Sequence, residues 1–350
     1  MKKSSLFGFA AALTLASCTT NDEVLDAAVQ TPMEFSSFVN KTTKGPLDLA
    51  GVQTTGFSVW GYKQKTVGQT STFITVFGNT PITWANQKWI YQDPTRYWDK
   101  TCTYDFYAYA PTSANVSIES PSAGGNATLK VTSFTVSNNP AEYVSHTDLL
   151  IAERKKGYNT YTKEPVKFDF KHTLTKLSIG FTTSLTGADQ TVVLKVATLK
   201  NVINNRQYTH SFTSAGNDEV KGLWSPIEAT KEGGDTTPAD ETKVNFPKQI
   251  DGDVTLTSKN QKVFTDLMMI PQPSSDNDLK SLYIEYTIND ELFTNTIDLP
   301  LNEGWKANQS IVYNINISAT QITFDAEVSK WDDDTITSPE GWDKPVTPAI

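Results

Sequence analysis

The residues best suited to catalysis or metal binding are few and widely separated. The three histidines are His146, His172 and His210, and no two of them could share a helical turn or a short strand. Neither the His-Glu-x-x-His pattern of zinc proteases nor a Cys-x-x-Cys pair occurs in the sequence. His172 alternates with apolar residues, which fits a buried core histidine better than a ligand or a general base. The sequence therefore predicts no metal site.

Two acidic clusters and one serine segment are the other candidates for chemistry. Asp251-Gly252-Asp253 and Asp332-Asp333-Asp334 do not match the spacing of a calcium loop, and a turn and a solvated tail explain them. Gly56-Phe57-Ser58-Val59-Trp60 has half of a nucleophile elbow, but Trp60 replaces its second glycine. A hydrolase with carboxylate catalysis would need two converging acids on adjacent strands, and no such pair is evident. We predict no catalytic residue, no cofactor and no enzyme activity.

Aromatic residues are concentrated between residues 84 and 98. Trp84, Trp89 and Trp98 lie there together with Tyr91 and Tyr97. Such a cluster could form an aromatic platform for a glycan on a surface-exposed binding module. The same residue types also fill strand cores and stabilise hairpins. The sequence leaves both interpretations open.

Composition and charge limit the classes of partner. The 350 residues carry a net charge of -9 and contain no basic stripe. Nucleic acid is therefore not predicted as a partner. At roughly 150 residues per domain, the length allows one large domain or two.

Residues 1–17 have the features of an export signal. A positively charged start precedes the apolar run 6–16, which is too short to span about 30 Å of hydrocarbon as a helix. The run leads into Leu15-Ala16-Ser17-Cys18, which resembles a bacterial lipobox, and a conventional signal peptide with an unrelated cysteine is the alternative. We predict a signal peptide over 1–17, acylation such as palmitoylation at Cys18 and a lipidated polar linker over 18–31. The acyl chains would anchor the protein to a membrane without a spanning helix.

The remainder of the sequence alternates apolar and polar residues with the period of β-strands. The alternation over residues 282–288 resumes after Asn289-Asp290, which predicts a hairpin with a short polar turn. The alternation also changes parity near Thr175-Lys176, where we predict a one-residue bulge within a single strand. No segment predicts a long amphipathic helix. Many short strands between turns indicate an all-β fold of antiparallel sandwiches.

A charged stretch marks the predicted domain boundary. Residues 152–157 are largely charged and end in a glycine, and Pro165 follows. We predict an N-terminal β-sandwich domain over 32–160, a C-terminal β-sandwich domain over 161–331 and a tail over 332–350. Both domains would have an ordinary size.

Five motifs, in order along the chain, resemble those of one protein family. They are Tyr97-Trp98 with Asp105-Phe106-Tyr107-Ala108-Tyr109-Ala110-Pro111, then Phe170-Lys171-His172-Thr173-Leu174-Thr175-Lys176-Leu177, Met269-Ile270-Pro271-Gln272, the segment from Gly304 to Ile315 and the segment from Ile322 to Trp331. Behind a lipobox, this series resembles the fimbrillin family, the lipoprotein pilins of Bacteroides-type bacteria. Asn308 and Ile311 depart from the pattern, because the family usually has glycine and tyrosine there.

The resemblance implies a fold, a location and a way of assembly. It implies two tandem transthyretin-like β-sandwich domains in an outer-membrane lipoprotein of the cell surface, without a catalytic site. The partners would be other subunits of a pilus or fimbrium, in which this chain is a stalk, accessory or tip subunit. Adhesion to a host or bacterial surface glycan or protein is a further expectation. Assembly would proceed by donor strand exchange after a protease with Arg or Lys preference removes the N-terminal strand.

The N-terminal region contains residues that fit the removable strand. Met33, Phe35 and Val39 share one strand face, so residues 32–40 could plug a groove. Lys44-Gly45 is the expected processing site, although Lys44 stands where the family usually has arginine. The alternative is that this segment is a permanent first strand.

The C-terminal region contains the candidate donor strand. Its apolar stripe consists of Ile322, Phe324, Ala326 and Val328. The tail after residue 331 is a poorer donor, because prolines interrupt it and cannot donate to a ladder. The alternative is that the stripe belongs to the last domain's own sheet.

Overall fold

The computed structural model describes most of the chain between residues 31 and 337. The described ranges are 31–38, 49–67, 70–92, 94–114, 116–118, 127–152, 155–158, 165–212, 222–230, 236–238, 243–272, 280–299, 304–319, 321–330 and 336–337. Within them, one short α-helix and one 3-10 helix accompany a large set of strands. The predicted all-β fold is therefore confirmed. Neither of the two described helices has the length and apolar character needed to cross a bilayer.

The elements are numbered in chain order. The first group is β1 (Phe35–Phe38), α1 (Leu49–Thr55), β2 (Phe57–Val67), β3 (Thr70–Ala85), β4 (Lys88–Ile90), β5 (Thr103–Ala110), β6 (Ser117–Ile118), β7 (Ala127–Thr135), the 3-10 helix Pro140–Ser145, β8 (Leu150–Ala152), β9 (Lys155–Tyr158) and β10 (Val166–His172). The second group is β11 (Thr175–Thr183), β12 (Val192–Ile203), β13 (Asn205–Phe212), β14 (Gly222–Ser225), β15 (Glu228–Thr230), β16 (Thr236–Pro238), β17 (Lys243–Pro247), β18 (Val254–Thr255), β19 (Gln261–Met269), β20 (Ser281–Ile288), β21 (Glu291–Asp298), β22 (Gln309–Ile317), β23 (Ile322–Lys330) and β24 (Ile336–Thr337).

Hydrogen bonds join these strands into several sheets. An eight-stranded sheet has the order β1-β10-β8-β5-β2-β3-β4, with β9 beside β5, and a four-stranded sheet has the order β14-β13-β7-β6. Two five-stranded sheets follow, with the orders β19-β11-β22-β23-β24 and β17-β12-β20-β21, the second with β18 beside β12. Strands β15 and β16 form a separate pair. Most pairs are antiparallel, but β1–β10 and β11–β22 are parallel.

The eight-stranded sheet is buried on both faces along its strand β5. Phe106 and Ala108 of β5 belong to one core, which also contains Met33 and Phe35. Tyr107 points to the opposite face, where its ring lies 4.7 Å from that of Phe212 in the four-stranded sheet. A strand buried on both faces reads as a nearly continuous apolar run, as the sequence of β5 does.

The hairpin predicted around Asn289-Asp290 is confirmed. Strands β20 and β21 pair in register from Ser281–Asp298 to Ile288–Glu291. Asn289 and Asp290 have φ values of 50° and 70°, the left-handed conformations that a tight type I′ turn requires. Asn and Asp tolerate this region better than most residues, so the turn follows directly from the sequence.

The predicted bulge near Thr175-Lys176 is wrong. The segment is not one strand but two: β10 pairs with β8 in the eight-stranded sheet, whereas β11 pairs with β19 and β22 in a five-stranded sheet. A passage from one sheet to another reverses the buried parity just as a bulge does, and the sequence pattern alone cannot distinguish the two.

Strand pairing crosses the predicted boundary at residue 160 in two places. Strand β10 lies between β1 and β8, and β13 pairs with β7. Strand β9, which pairs with β5, lies inside the stretch expected to form the boundary. The division into two domains stays a prediction, and these pairings weigh against its placement at residue 160.

Candidate functional site

The described N-terminal residues 31–38, here called the first-strand segment, lie between two other parts of the fold. On one side, Met33 N donates to Arg96 O at 2.8 Å, and Trp98 N donates to Thr31 O at 3.1 Å. On the other side, β1 runs parallel to β10, and Val166 N donates to Glu34 O at 2.8 Å. The segment therefore fills a groove whose two walls are β10 and residues 96–98.

The inward side chains of the segment fill the floor of this groove. Met33 and Phe35 are 1% and 4% exposed, whereas Glu34 between them faces solvent. The ring of Phe35 lies 5.0 Å from that of Phe77 and 5.8 Å from that of Phe168, measured between centroids. Both partner rings are fully buried while the segment is in place.

One wall of the groove is fixed by hydrogen bonds around Tyr91. The amide of Arg96 donates to the Tyr91 hydroxyl at 3.1 Å, and that hydroxyl donates to Met33 O at 3.0 Å. Burial raises the pKa of Tyr91, so the phenol keeps its proton and remains a donor. Arg96 Nε donates in turn to Val76 O of β3 at 3.1 Å. The wall is therefore held independently of the segment that it binds.

Four of the predicted site residues lie outside the described part of the chain. They are Cys18, Val39, Lys44 and Gly45. The processing site and the lipidation site therefore stay predictions. Of the expected plug, the structure brings Met33 and Phe35 into the groove.

The tryptophans pack into hairpin and core contacts. Trp84 and Trp89 face each other across the β3–β4 turn with ring centroids 5.0 Å apart, and Trp89 also lies 4.8 Å from Phe57. Trp98 packs edge-on against Tyr104 at 4.9 Å. All three tryptophans are half-buried. This geometry corresponds to the internal-packing interpretation of the cluster.

The candidate donor strand is paired within the chain's own sheet. Strand β23 runs antiparallel to β22 over its whole length, from Ile317–Ile322 to Gln309–Lys330, and β24 lies on its other side. Ile322 and Ala326 are buried, and Val328 packs against the same core. The backbone of Phe324 pairs with Ile315.

Among the described residues, the buried ionisable side chains do not gather in one place. His172 Nδ1 donates to Asp148 Oδ2 at 2.7 Å, and Asp148 is the one buried carboxylate among the described residues. Burial lowers the pKa of His146, whose Nε2 lies 2.8 Å from Ser137 O, and lowers that of His210 to about 4. Within the described ranges, no three His, Cys, Asp or Glu side chains are grouped so as to hold a metal ion.

Sequence reasoning missed the residues that build the groove wall. Nothing in the spacing of Tyr91 and Arg96 indicates that they hold the first-strand segment, because the contact joins residues far apart in the chain. The aromatic cluster between residues 84 and 98, which includes Tyr91, is the one available signal, and the sequence leaves open whether it binds a glycan or packs inside the fold.

The fold defines the class of protein, a multi-sheet β-sandwich with its first strand inserted between other elements. The family model described as fimbrillin-like matches residues 50–331, and this chain belongs to that family. No curated protein matches the sequence significantly.

Several solved structures are similar to this chain. A fimbrial protein from Bacteroides vulgatus is 18% identical with a TM-score of 0.53, and the match covers 85% of this chain and 99% of that one. A candidate cell adhesion protein from Bacteroides uniformis is 18% identical with a TM-score of 0.48 over 86% of this chain and 99% of that one. A fimbrial assembly protein from Parabacteroides distasonis is 10% identical with a TM-score of 0.36 over 89% and 100%, respectively. The first of these likenesses shows a shared fold.

Proposed function

We propose that this protein is a structural subunit of a cell-surface fimbrium and joins neighbouring subunits by strand exchange. Membership of the fimbrillin-like family supports the role in a fimbrium. The proposed strand exchange is supported by the first-strand segment, which fills a groove between two walls at the N-terminal end of the described chain. Its function is mechanical and adhesive, and no residue acts as an acid, a base or a nucleophile.

The physical basis of the exchange is the cost of an empty groove. Burial of Met33 and Phe35 contributes roughly 1.5–3 kcal/mol for each side chain. Removal of the segment exposes Phe77 and Phe168 and leaves backbone groups of β10 without partners. An incoming strand restores both the backbone hydrogen bonds and the buried side chains, which is the general mode of strand addition.

We further propose that acylation of Cys18 anchors the precursor to the outer membrane. The lipobox-like segment before Cys18 supports this step. The substitution Cys18→Ser should abolish incorporation of a palmitate analogue and release the protein from the membrane fraction, because stable anchoring needs acyl chains. Retention of the label in Cys18→Ser would contradict the assignment.

The groove that would accept a strand has more structural support than β23 has as the strand that would be donated. Strand β23 would have to leave both β22 and β24 before it could be donated. We therefore propose that β23 is structural in the free subunit and that the incoming strand is a terminal segment of another subunit. This arrangement suits an accessory or tip subunit as well as a stalk subunit. The tryptophan contacts weigh against the alternative of a glycan-binding module.

Limited proteolysis tests the proposal. The delipidated protein is treated with a Lys-directed protease, its new N-terminus is sequenced and the product is imaged for filaments. We expect a cut after Lys44, loss of residues 31–38 and then polymers, alone or with other fimbrial subunits. The double variant Lys41→Gln/Lys44→Gln should block both steps because it removes both lysines that follow the segment, and Lys41→Gln alone serves as the matched control. A cut chain that keeps its first-strand segment and never polymerises would contradict strand exchange.

A further inference from the structure

We propose that the groove selects an incoming strand with an apolar side chain at the position that Ser37 now occupies. The partner would be an extended terminal segment of another subunit that presents apolar side chains at three alternate positions, those of Met33, Phe35 and Ser37. This inference rests on the proposed function, because it names the chemistry of the strand that replaces the first one. Strand exchange would then replace a first strand that fits the groove poorly at Ser37 by a strand that fits it better.

The mismatch lies at the third inward position of the segment. Ser37 has the same parity as Met33 and Phe35, the two side chains that fill the groove. Its hydroxyl oxygen is buried and has no hydrogen-bond partner among the described residues. A buried hydroxyl without a partner loses its hydration and gains nothing in return, so it weakens the binding of the strand that carries it.

The surroundings of Ser37 favour an apolar side chain. Ser37 lies directly beside Phe168 in the parallel pair, and Phe168 is fully buried. Phe35, the preceding inward residue, also stacks on Phe168 with ring centroids 5.8 Å apart. An apolar side chain at this position would continue the same contact surface and would leave no polar atom unsatisfied.

The incoming strand is not expected to be β23 of a second copy. That strand has the required alternation but pairs with β22 along its whole length and with β24 on the other side. A terminal segment that pairs with nothing in its own subunit avoids the loss of those hydrogen bonds. The proposed partner is therefore such a segment, defined by its three alternate apolar side chains.

Two alanine substitutions distinguish the effect of the buried Ser37 hydroxyl on stability from the general effect of replacing a serine in this strand. In the intact chain, Ser37→Ala removes the unsatisfied hydroxyl, whereas Ser36→Ala alters the neighbouring residue on the opposite face. We expect Ser37→Ala to raise the unfolding midpoint in denaturant relative to both the unaltered chain and Ser36→Ala. An equal or lower midpoint for Ser37→Ala than for Ser36→Ala would overturn the inference, whether or not the chain is ever processed.

Peptide binding to the cut protein tests the same preference for an apolar side chain at position 37. Once the chain is cut after Lys44, synthetic peptides spanning residues 31–40 compete for the groove. A peptide carrying Ser37→Val should bind about tenfold more tightly than the unaltered peptide, and one carrying Ser36→Val should stay within about twofold. Equal binding of all three peptides would overturn the inference, whereas binding of none would contradict the proposed strand exchange. The denaturant experiment then still decides the role of Ser37.

Discussion

Gln272 is buried, and its side-chain amide bonds to backbone groups inside the fold. Its Nε2 donates to Ile203 O and to Ile270 O, both at 2.8 Å, and its Oε1 accepts from Ile203 N at 3.1 Å. Its backbone also pairs with Trp305, a residue of another family-like motif. The Ile270-Pro271-Gln272 motif is thus a structural device that ties β12 to the loop after β19.

His210 is expected to make stability depend on pH. Burial lowers its pKa to about 4, whereas an unfolded histidine titrates near 6.5. The unfolded state therefore binds more protons between these values, so this contribution is complete above pH 6.5 and is lost as the pH falls towards 4. The loss amounts to about 3 kcal/mol in the free energy of unfolding.

Denaturant unfolding at a series of pH values measures this effect. In His210→Phe, the free energy of unfolding should fall less steeply between pH 6.5 and 4, because the phenylalanine ring cannot titrate. Some slope should persist, since burial lowers the pKa of His146 in the same direction. A variant with the full original slope would show that another group carries the pH dependence.

At the scale of elements, the proposed assembly depends on the position of each strand in its sheet. Strand β1 lies at the edge of its sheet, and β10 is its one partner among the described strands, while residues 31–33 just before it bond to residues 96–98. Strand β23 lies inside its sheet. A short edge strand can leave with fewer broken bonds than an internal one, which is why we assign exchange to the first strand.

The substitution Ala326→Asp tests the structural role of β23. Ala326 is fully buried, so a carboxylate there would lie unpaired in the core and should lower the free energy of unfolding of the monomer by roughly 3 kcal/mol or more. Ser329→Asp places the same charge on the half-buried opposite face and should cost far less. A monomer of Ala326→Asp with unaltered stability and lost assembly would instead identify β23 as the donor.

At the scale of the whole molecule, one large core joins parts of the chain on both sides of residue 160. Trp60 and Tyr107 belong to the same buried cluster as Leu177 and Tyr313. The four-stranded sheet likewise combines β6 and β7 with β13 and β14. Folding of the C-terminal half is therefore expected to depend on strands supplied by the N-terminal half.

A fragment covering residues 161–331 tests this dependence. It lacks β8, the partner of β10, and β7, the partner of β13. We expect it to lose cooperative unfolding in circular dichroism, whereas the chain from residue 31 to 337 should keep it. Cooperative unfolding of the isolated fragment would support an independent domain that begins at residue 161.

The sequence by itself determined the strands, the tight turn at Asn289-Asp290 and the family, because alternation and turn chemistry are local properties. It also placed Met33 and Phe35 on one face of a strand. Only the tertiary structure decided which strands pair, that β10 and β11 belong to different sheets, and that Tyr91 and Arg96 form a wall of the groove. Pairing depends on contacts between residues far apart in the chain, and many partners satisfy the same alternating pattern.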